Sequence, residues 1–168
     1  TLAAAAGILL NGSEKFSAIG NKKSAGTKLV CFDSFFNNPG VYEIEMGTPM
    51  KKVLYDIGGG FKEDIKALQI GGPLGGVVPI AEAEKLNLDF QEFTAAGFML
   101  GHASIVSIPR DFPMVEYIHH LFEFTAEESC GKCFPGRLGS YRGKEMFDQL
   151  KSKKAKIPLK VLNDLLIT

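Results

Sequence analysis

The sequence predicts an α+β fold, and three observations carry that prediction. Short β-branched and aromatic runs broken by glycine fill residues 28–108. One helical period interrupts them, at 49–57, and beyond residue 108 the apolar spacing is helical to the end. Mixed periods, with most helices gathered after the strands, mark the α+β class.

The opening segment, Leu2 to Ile19, is alanine-rich and predicted helical, with Asn11-Gly12 as a stop and Phe16 and Ile19 as apolar anchors. Leu29-Val30-Cys31-Phe32 reads as a strand, Asn37-Asn38-Pro39-Gly40 as a turn, and Val41-Tyr42-Glu43-Ile44-Glu45 as a half-buried strand, together a β-hairpin. Thr48 is the expected cap of a helix from Pro49 to Ile57, whose Met50, Val53, Leu54 and Ile57 share one face. Gly58-Gly59-Gly60 stops that helix, a glycine supplying the left-handed residue. Strands at Ile65–Ile70, Gly76–Pro79 and Ala103–Ile108 follow. Hairpin, helix, then further strands is the order of a β-grasp (ubiquitin-like) domain.

Asp111 and Pro113 begin a helix with the stripe Met114, Val115, Ile118, Leu121 and Phe122. A loop from Glu127 to Gly139 carries Cys130 and Cys133. Ser140 is the expected cap of the next helix, which presents Met146, Phe147 and Leu150. Pro158 opens a last helix with Leu159, Leu162, Leu165 and Leu166 as its stripe. The β-grasp domain is therefore followed by a partial helical bundle. The expected divisions are a helical lead-in over 1–27, the β-grasp domain over 28–108 and the helical region over 109–168.

Composition removes several function classes. With 19 Lys+Arg against 19 Asp+Glu, the chain offers no general attraction to phosphate backbones, so no nucleic-acid partner is expected. Average hydrophobic content without net charge excludes low-complexity disorder. The longest apolar run, Leu2 to Leu10, is far shorter than the roughly 20 residues a membrane span takes, so no direct membrane insertion is expected. No basic residues precede that run and the chain opens at Thr1, which reads as a piece of a longer polypeptide rather than a signal peptide. Three cysteines, two of them spaced Cys-x-x-Cys, fit a metal or redox role in a reducing compartment better than a disulfide framework.

Other motifs have plain explanations. Gly71-Gly72-Pro73-Leu74-Gly75-Gly76 lacks the Gly-Lys-Ser/Thr ending of a phosphate loop and reads as a tight connection between strands. His119 and His120 are adjacent and point about 100° apart on a helix, so they cannot chelate one ion together; a solvated or core-edge role is expected. His102 has no partner motif. Cys31 falls in a strand, where a cysteine is usually a small buried hydrophobe. Lys151 to Lys156 reads as a solvated helix end, or as a docking patch for an acidic partner.

Glu127 to Arg137 is the informative stretch. Two thiols three residues apart can serve two positions of one metal site, and the intervening glycine lets backbone N–H groups turn toward sulfur. Spacing alone leaves zinc, iron–sulfur and a redox dithiol open. A dithiol of the thioredoxin kind wants a βαβ setting, and a complete zinc site wants two more ligands nearby. The string Glu128-Ser129-Cys130-Gly131-Lys132-Cys133-Phe134-Pro135-Gly136-Arg137 resembles the iron–sulfur loop of the NADH-oxidising flavoprotein subunit of respiratory complex I, a type shared with the diaphorases of NAD-linked hydrogenases and formate dehydrogenases. Asn37-Asn38-Pro39-Gly40-Val41-Tyr42-Glu43, Met46-Gly47-Thr48, Tyr55-Asp56-Ile57-Gly58-Gly59-Gly60 and Gly71-Gly72-Pro73 resemble that family's middle domain, the soluble-ligand-binding β-grasp (SLBB). Phe124-Thr125-Ala126-Glu127-Glu128 leads into the loop as in the family.

The resemblance implies electron transfer: a hydride from NADH (NAD) to FMN, then single electrons to a 4Fe-4S cluster and on to other electron-transfer subunits of an NADH dehydrogenase- or hydrogenase-type complex. It makes residues 28–108 an SLBB domain and 109–168 a partial iron–sulfur-binding domain. It places Cys130 and Cys133 at the first two metal positions of a Cys-x-x-Cys-x-x-Cys loop and Gly136 where the third cysteine belongs. The glycine-rich FMN and NADH loops of the family lie upstream of residue 1, so no catalytic residue is assigned and the chain alone is expected inactive. The implied setting is cytoplasmic, peripheral to the inner membrane through partner subunits. Two other readings stand beside it: a non-enzymatic β-grasp scaffold with a degenerate cluster loop, which Gly136 favours, and a zinc-stabilised interaction domain using the same two cysteines.

Overall fold

Hydrogen-bonding demand and alternation of apolar residues assemble the first part of the chain into one mixed sheet. The computed structural model describes residues 2–73, 75–153 and 156–167. Its strands are β1 (Thr27–Phe32), β2 (Gly40–Glu45), β3 (Ile65–Ile70), β4 (Gly76–Pro79) and β5 (Ser104–Pro109), in the order β2-β1-β5-β3-β4. β1 and β2 form the expected hairpin, with Val30 opposite Tyr42. β1 runs parallel to β5, and β3 pairs antiparallel with both β4 and β5. A parallel first and last strand at the centre, flanked by two hairpins, is the β-grasp arrangement, so the α+β expectation is met.

The inner residues of these strands, Val30, Phe32, Ile44, Leu68, Ile70, Val78 and Ile105, close a single core with Met50, Val53 and Leu54 from the helix that follows the hairpin. That helix is wound as a π turn over Lys52–Ile57. Thr48 does not cap it. The Thr48 hydroxyl donates to the Glu45 carbonyl at 2.7 Å, because the chain reverses in a turn at 45–48 before the helix begins. Its other end is closed as expected. Gly59 and Gly60 adopt φ +73° and +72°, while the side-chain amides of Asn37 and Asn38 donate to the Gly59 and Ile57 carbonyls. The turn of the hairpin thus caps the helix.

Two short helices unmarked by the sequence pattern connect β4 to β5. α3 spans Ile80–Ala83 and α4 spans Phe90–Ala95, the latter burying Phe93. Buried Asp89 caps α4, accepting from the N–H groups of Gln91 (2.8 Å) and Glu92 (3.0 Å) and from the Asn21 amide (2.8 Å). The glycine loop at 71–76, apart from Leu74, which lies outside the described residues, is a strand connection: a Cβ on Gly71 would stand 2.7 Å from the Leu100 carbonyl oxygen. Ahead of the sheet, α1 (Leu2–Asn11) and α2 (Ser13–Ser17) are helical. Phe16 packs its ring onto Gly26, whereas Leu2, Leu9 and Leu10 remain 85–88% exposed.

The chain divides into two compact units, residues 1–110 and 111–168. The second contains α5 (Met114–Glu128), α6 (Ser140–Lys151) and α7 (Leu159–Ile167). α5 and α6 pack through Phe122, which stacks on Phe147 at 5.6 Å and lies so close to Gly143 that a Cβ there would meet its ring at 2.2 Å. Ala126, Met146 and Phe147 are buried at this seam; Val115, expected to face inward, is exposed. In α7, Leu159 is 71% exposed. The side chain of Leu166, Lys154 and Ala155 fall outside the described residues. No helix of the described residues is long and apolar enough to cross a membrane.

Candidate metal centre

The two cysteines occupy a short reversal between long helices. α5 continues to Glu128, and Ser129, in extended geometry, ends it. The Ser129 hydroxyl accepts from the Gly131 N–H at 3.2 Å, tightening the turn that presents Cys130. Helical hydrogen bonding resumes at once: the Arg137 N–H donates to the Cys133 carbonyl at 2.9 Å. The first turns are π-wound over Pro135–Gly139, with the Ser140 N–H reaching back to the Pro135 carbonyl, and the helix then runs on as α6.

The loop is thus shorter than the expected Glu127–Gly139, and Ser140 is not a cap. It lies inside the helix and donates to the Gly136 carbonyl at 2.6 Å. Proline at the first helical position needs no N–H partner, which lets the helix start directly behind Cys133.

Both thiols are exposed. Gly136 stands one turn beyond Cys133, and a Cβ there would lie 3.1 Å from the Cys133 sulfur and 2.9 Å from the Ser129 hydroxyl oxygen. A side chain at 136 would therefore leave the helix on the side where the Cys133 sulfur sits. Among the described residues no group of three or more His, Cys, Asp or Glu side chains could hold a metal. Cys31, half-buried in β1, belongs to the first unit. A 4Fe–4S cluster takes a ligand, normally thiolate, on each iron. The donor set present here does not complete one.

The histidines are accounted for otherwise. His119 is buried between α5 and α6, its Nε2 2.7 Å from Asp148 Oδ1 and its Nδ1 3.4 Å from the Lys151 ammonium. Hydrogen bonding to His119 first, and to Lys144 second, holds the Asp148 carboxyl below the usual carboxylate range. Lys151 also pairs with Glu116 at 2.7 Å, so this part of the lysine run closes the helix pair. His120 and His102 are exposed at the surface of their units. The buried role of His119 has one signal in the sequence, its place beside Ile118 on the apolar stripe of α5.

With the loop in view, similarity to known proteins becomes interpretable. Residues 116–167 match the family described as the NADH-ubiquinone oxidoreductase-F iron-sulfur binding region. The resemblance read from the cysteine loop is borne out. The chain is 38% identical over 142 residues to an NADH-quinone oxidoreductase subunit of Escherichia coli, a match covering 83% of this chain and 32% of that protein. It is 35% identical over 145 residues to the NADP-reducing hydrogenase subunit HndC of Solidesulfovibrio fructosivorans, covering 85% of this chain and 29% of the relative. A crystal structure of an NAD+-reducing [NiFe]-hydrogenase in the H2-reduced state superposes with a TM-score of 0.84 at 27% identity, over 99% of this chain and 28% of the matched one. The chain thus corresponds to a segment of such subunits and spans about a third of their length.

Proposed function

We propose that this chain is the SLBB and iron–sulfur-loop part of an NADH-oxidising flavoprotein subunit. The parent subunit takes a hydride from NADH onto FMN and delivers electrons to a 4Fe–4S centre and to partner electron-transfer subunits of an NADH dehydrogenase- or hydrogenase-type complex. It works in the cytoplasm, held at the inner membrane by those partners. The observation that carries this reading is the pair of exposed thiols, Cys130 and Cys133, in a short turn within residues matching an iron–sulfur binding region.

Cys130 and Cys133 are the first two cluster ligands, and Gly136 occupies the place of the third. The direction of a Gly136 Cβ toward the Cys133 sulfur supports that alignment. The exposed leucines of α1 suit a helix that packs against a further domain, the role assigned to the lead-in before the sheet. FMN and NAD belong to the parent, and the 168 residues alone carry out no NADH oxidation.

Purification of the full-length parent tests this reading. Bound flavin, NADH-to-acceptor activity, and iron and sulfide that fall in Cys130→Ser are the expected results; a parent with neither flavin nor NADH oxidation overturns it. One observation favours a second reading, a β-grasp scaffold whose cluster site has decayed: the glycine at 136.

A further inference from the structure

We infer that the first unit holds a one-electron redox site at Tyr55, reached from Tyr42 through the rings of Phe32, Phe36 and Phe61 and served by Glu84 as proton acceptor. The site lies apart from the cysteine loop, which belongs to the second unit.

Five aromatic side chains form an unbroken series. The ring centroids of Tyr42 and Phe32 are 5.3 Å apart, those of Phe32 and Phe36 4.5 Å, those of Phe36 and Phe61 4.6 Å, and those of Phe61 and Tyr55 5.9 Å. Each step is a contact of ordinary aromatic packing, so the two phenols are joined ring by ring. Phe32 and Phe36 are buried, and a backbone bridge between Phe36 and Phe61 fixes the middle of the series.

The two ends differ. The Tyr55 hydroxyl, on the π turn at Lys52–Ile57, donates to Glu84 Oε1 at the end of α3 at 2.5 Å, a short charge-assisted bond. Tyr42 has no such acceptor among the described residues. Burial and the carboxylate keep the Tyr55 phenol protonated up to about 12, so the proton stays in place until an electron leaves. A phenol that loses an electron becomes a far stronger acid, and at Tyr55 a base already sits on the hydroxyl to receive the proton. The oxidising equivalent therefore settles there. Tyr55 is 41% exposed, within reach of a dissolved reductant.

The steps balance. A one-electron oxidant takes an electron from Tyr42, and an electron passes from Tyr55 along the rings to refill it. The Tyr55 O–H bond breaks and its proton goes to the Glu84 carboxylate, leaving a neutral phenoxyl radical. A one-electron reductant such as ascorbate returns the electron, Glu84 returns the proton, and the protein ends as it began. The series thus carries an oxidising equivalent out of the core to the surface.

The test places a ruthenium polypyridyl photo-oxidant beside Tyr42, through Val41→Cys in the 168-residue chain with Cys31, Cys130 and Cys133 replaced by Ser; Val41 is 63% exposed. Flash oxidation with an electron-accepting quencher is followed by absorption and by electron paramagnetic resonance. The expected radical is on Tyr55, although Tyr141 is more exposed at 55%. Tyr55→Phe and Phe61→Leu each leave it on Tyr42. Glu84→Gln slows its arrival at Tyr55 about 100-fold, the low end of what a positioned base supplies. A radical that stays on Tyr42 in the parent chain, or that forms on Tyr141 instead, overturns the inference. So does arrival at Tyr55 at the same rate with Gln at 84, and that variant, of the same shape and at the surface, decides the matter where Phe61→Leu does not fold.

Discussion

Nε2 of the buried His119 lies 2.7 Å from Oδ1 of Asp148, and this contact ties the middle of α5 to the second half of α6. The imidazole fills a position that an aliphatic residue would take in a simpler helix pair, and its polar atoms are matched by Asp148 and Lys151 rather than left bare. Replacing His119 by Ala removes the ring and opens the seam, costing about 2 kcal/mol. The urea-unfolding midpoint of residues 111–168 within the full chain, followed by hydrogen exchange, checks this. Asp148, whose carboxyl is held low by the same contact, adds stability above its unfolded pKa that is lost as pH falls through the folded value.

Asp89 gives the first unit a second acid-sensitive element. Burial by itself would raise its carboxyl, but hydrogen bonds from Asn21, Ser24 and the N–H groups of Glu92 and Gln91 prevail and bring it to about 2. The folded value lies below the model-peptide 3.8, so its contribution is complete above pH 3.8 and disappears as pH falls toward 2. Asp89→Ala removes the cap of α4 and lowers stability at neutral pH by about 1 kcal/mol. The variant should lose less on acidification than the natural chain, as read by thermal melts across that window.

Tyr55 donates to Glu84 at 2.5 Å, and burial, followed by that carboxylate, pushes its phenol up to about 12. An ultraviolet pH titration of the four tyrosines should show one ionisation displaced to that region. Glu84→Gln removes the negative neighbour and brings the displaced ionisation down, while an unchanged titration would place Tyr55 elsewhere.

Gly143 is a packing requirement. Any Cβ there meets the Phe122 ring at 2.2 Å, and the ring is backed by Phe147. Gly143→Ala costs about 1–3 kcal/mol by overpacking. Phe122→Leu in the same chain should recover part of the loss in a double-mutant cycle of melting temperatures.

Residues whose signal is local are the legible ones. β3 and β4 carry the bounds read from the sequence, because an apolar run between glycine turns has few alternatives. The cysteine pair and the glycine at 136 are equally plain. Thr48 and Ser140 resemble caps in the sequence but are not, because a hydroxyl at a plausible spacing has other acceptors within reach, here the carbonyls of Glu45 and Gly136. α4 escapes a reading by apolar period because it is short, although Asp89-x-x-Glu92 has the form of a capping box; the Glu92 carboxylate bonds Asn87 instead. The buried place of His119 is masked by its neighbour His120, and only its position on the stripe of α5 points to it.

The π turn at Pro135–Gly139 gives this segment an evolutionary freedom. A π turn houses one residue more than α geometry would. Single-residue insertions or deletions can be absorbed there without rotating Met146 and Phe147 away from their seam. The stretch that carries Cys130 and Cys133 can therefore drift in length and sequence while the seam behind it, with Met146 and Phe147 buried, persists.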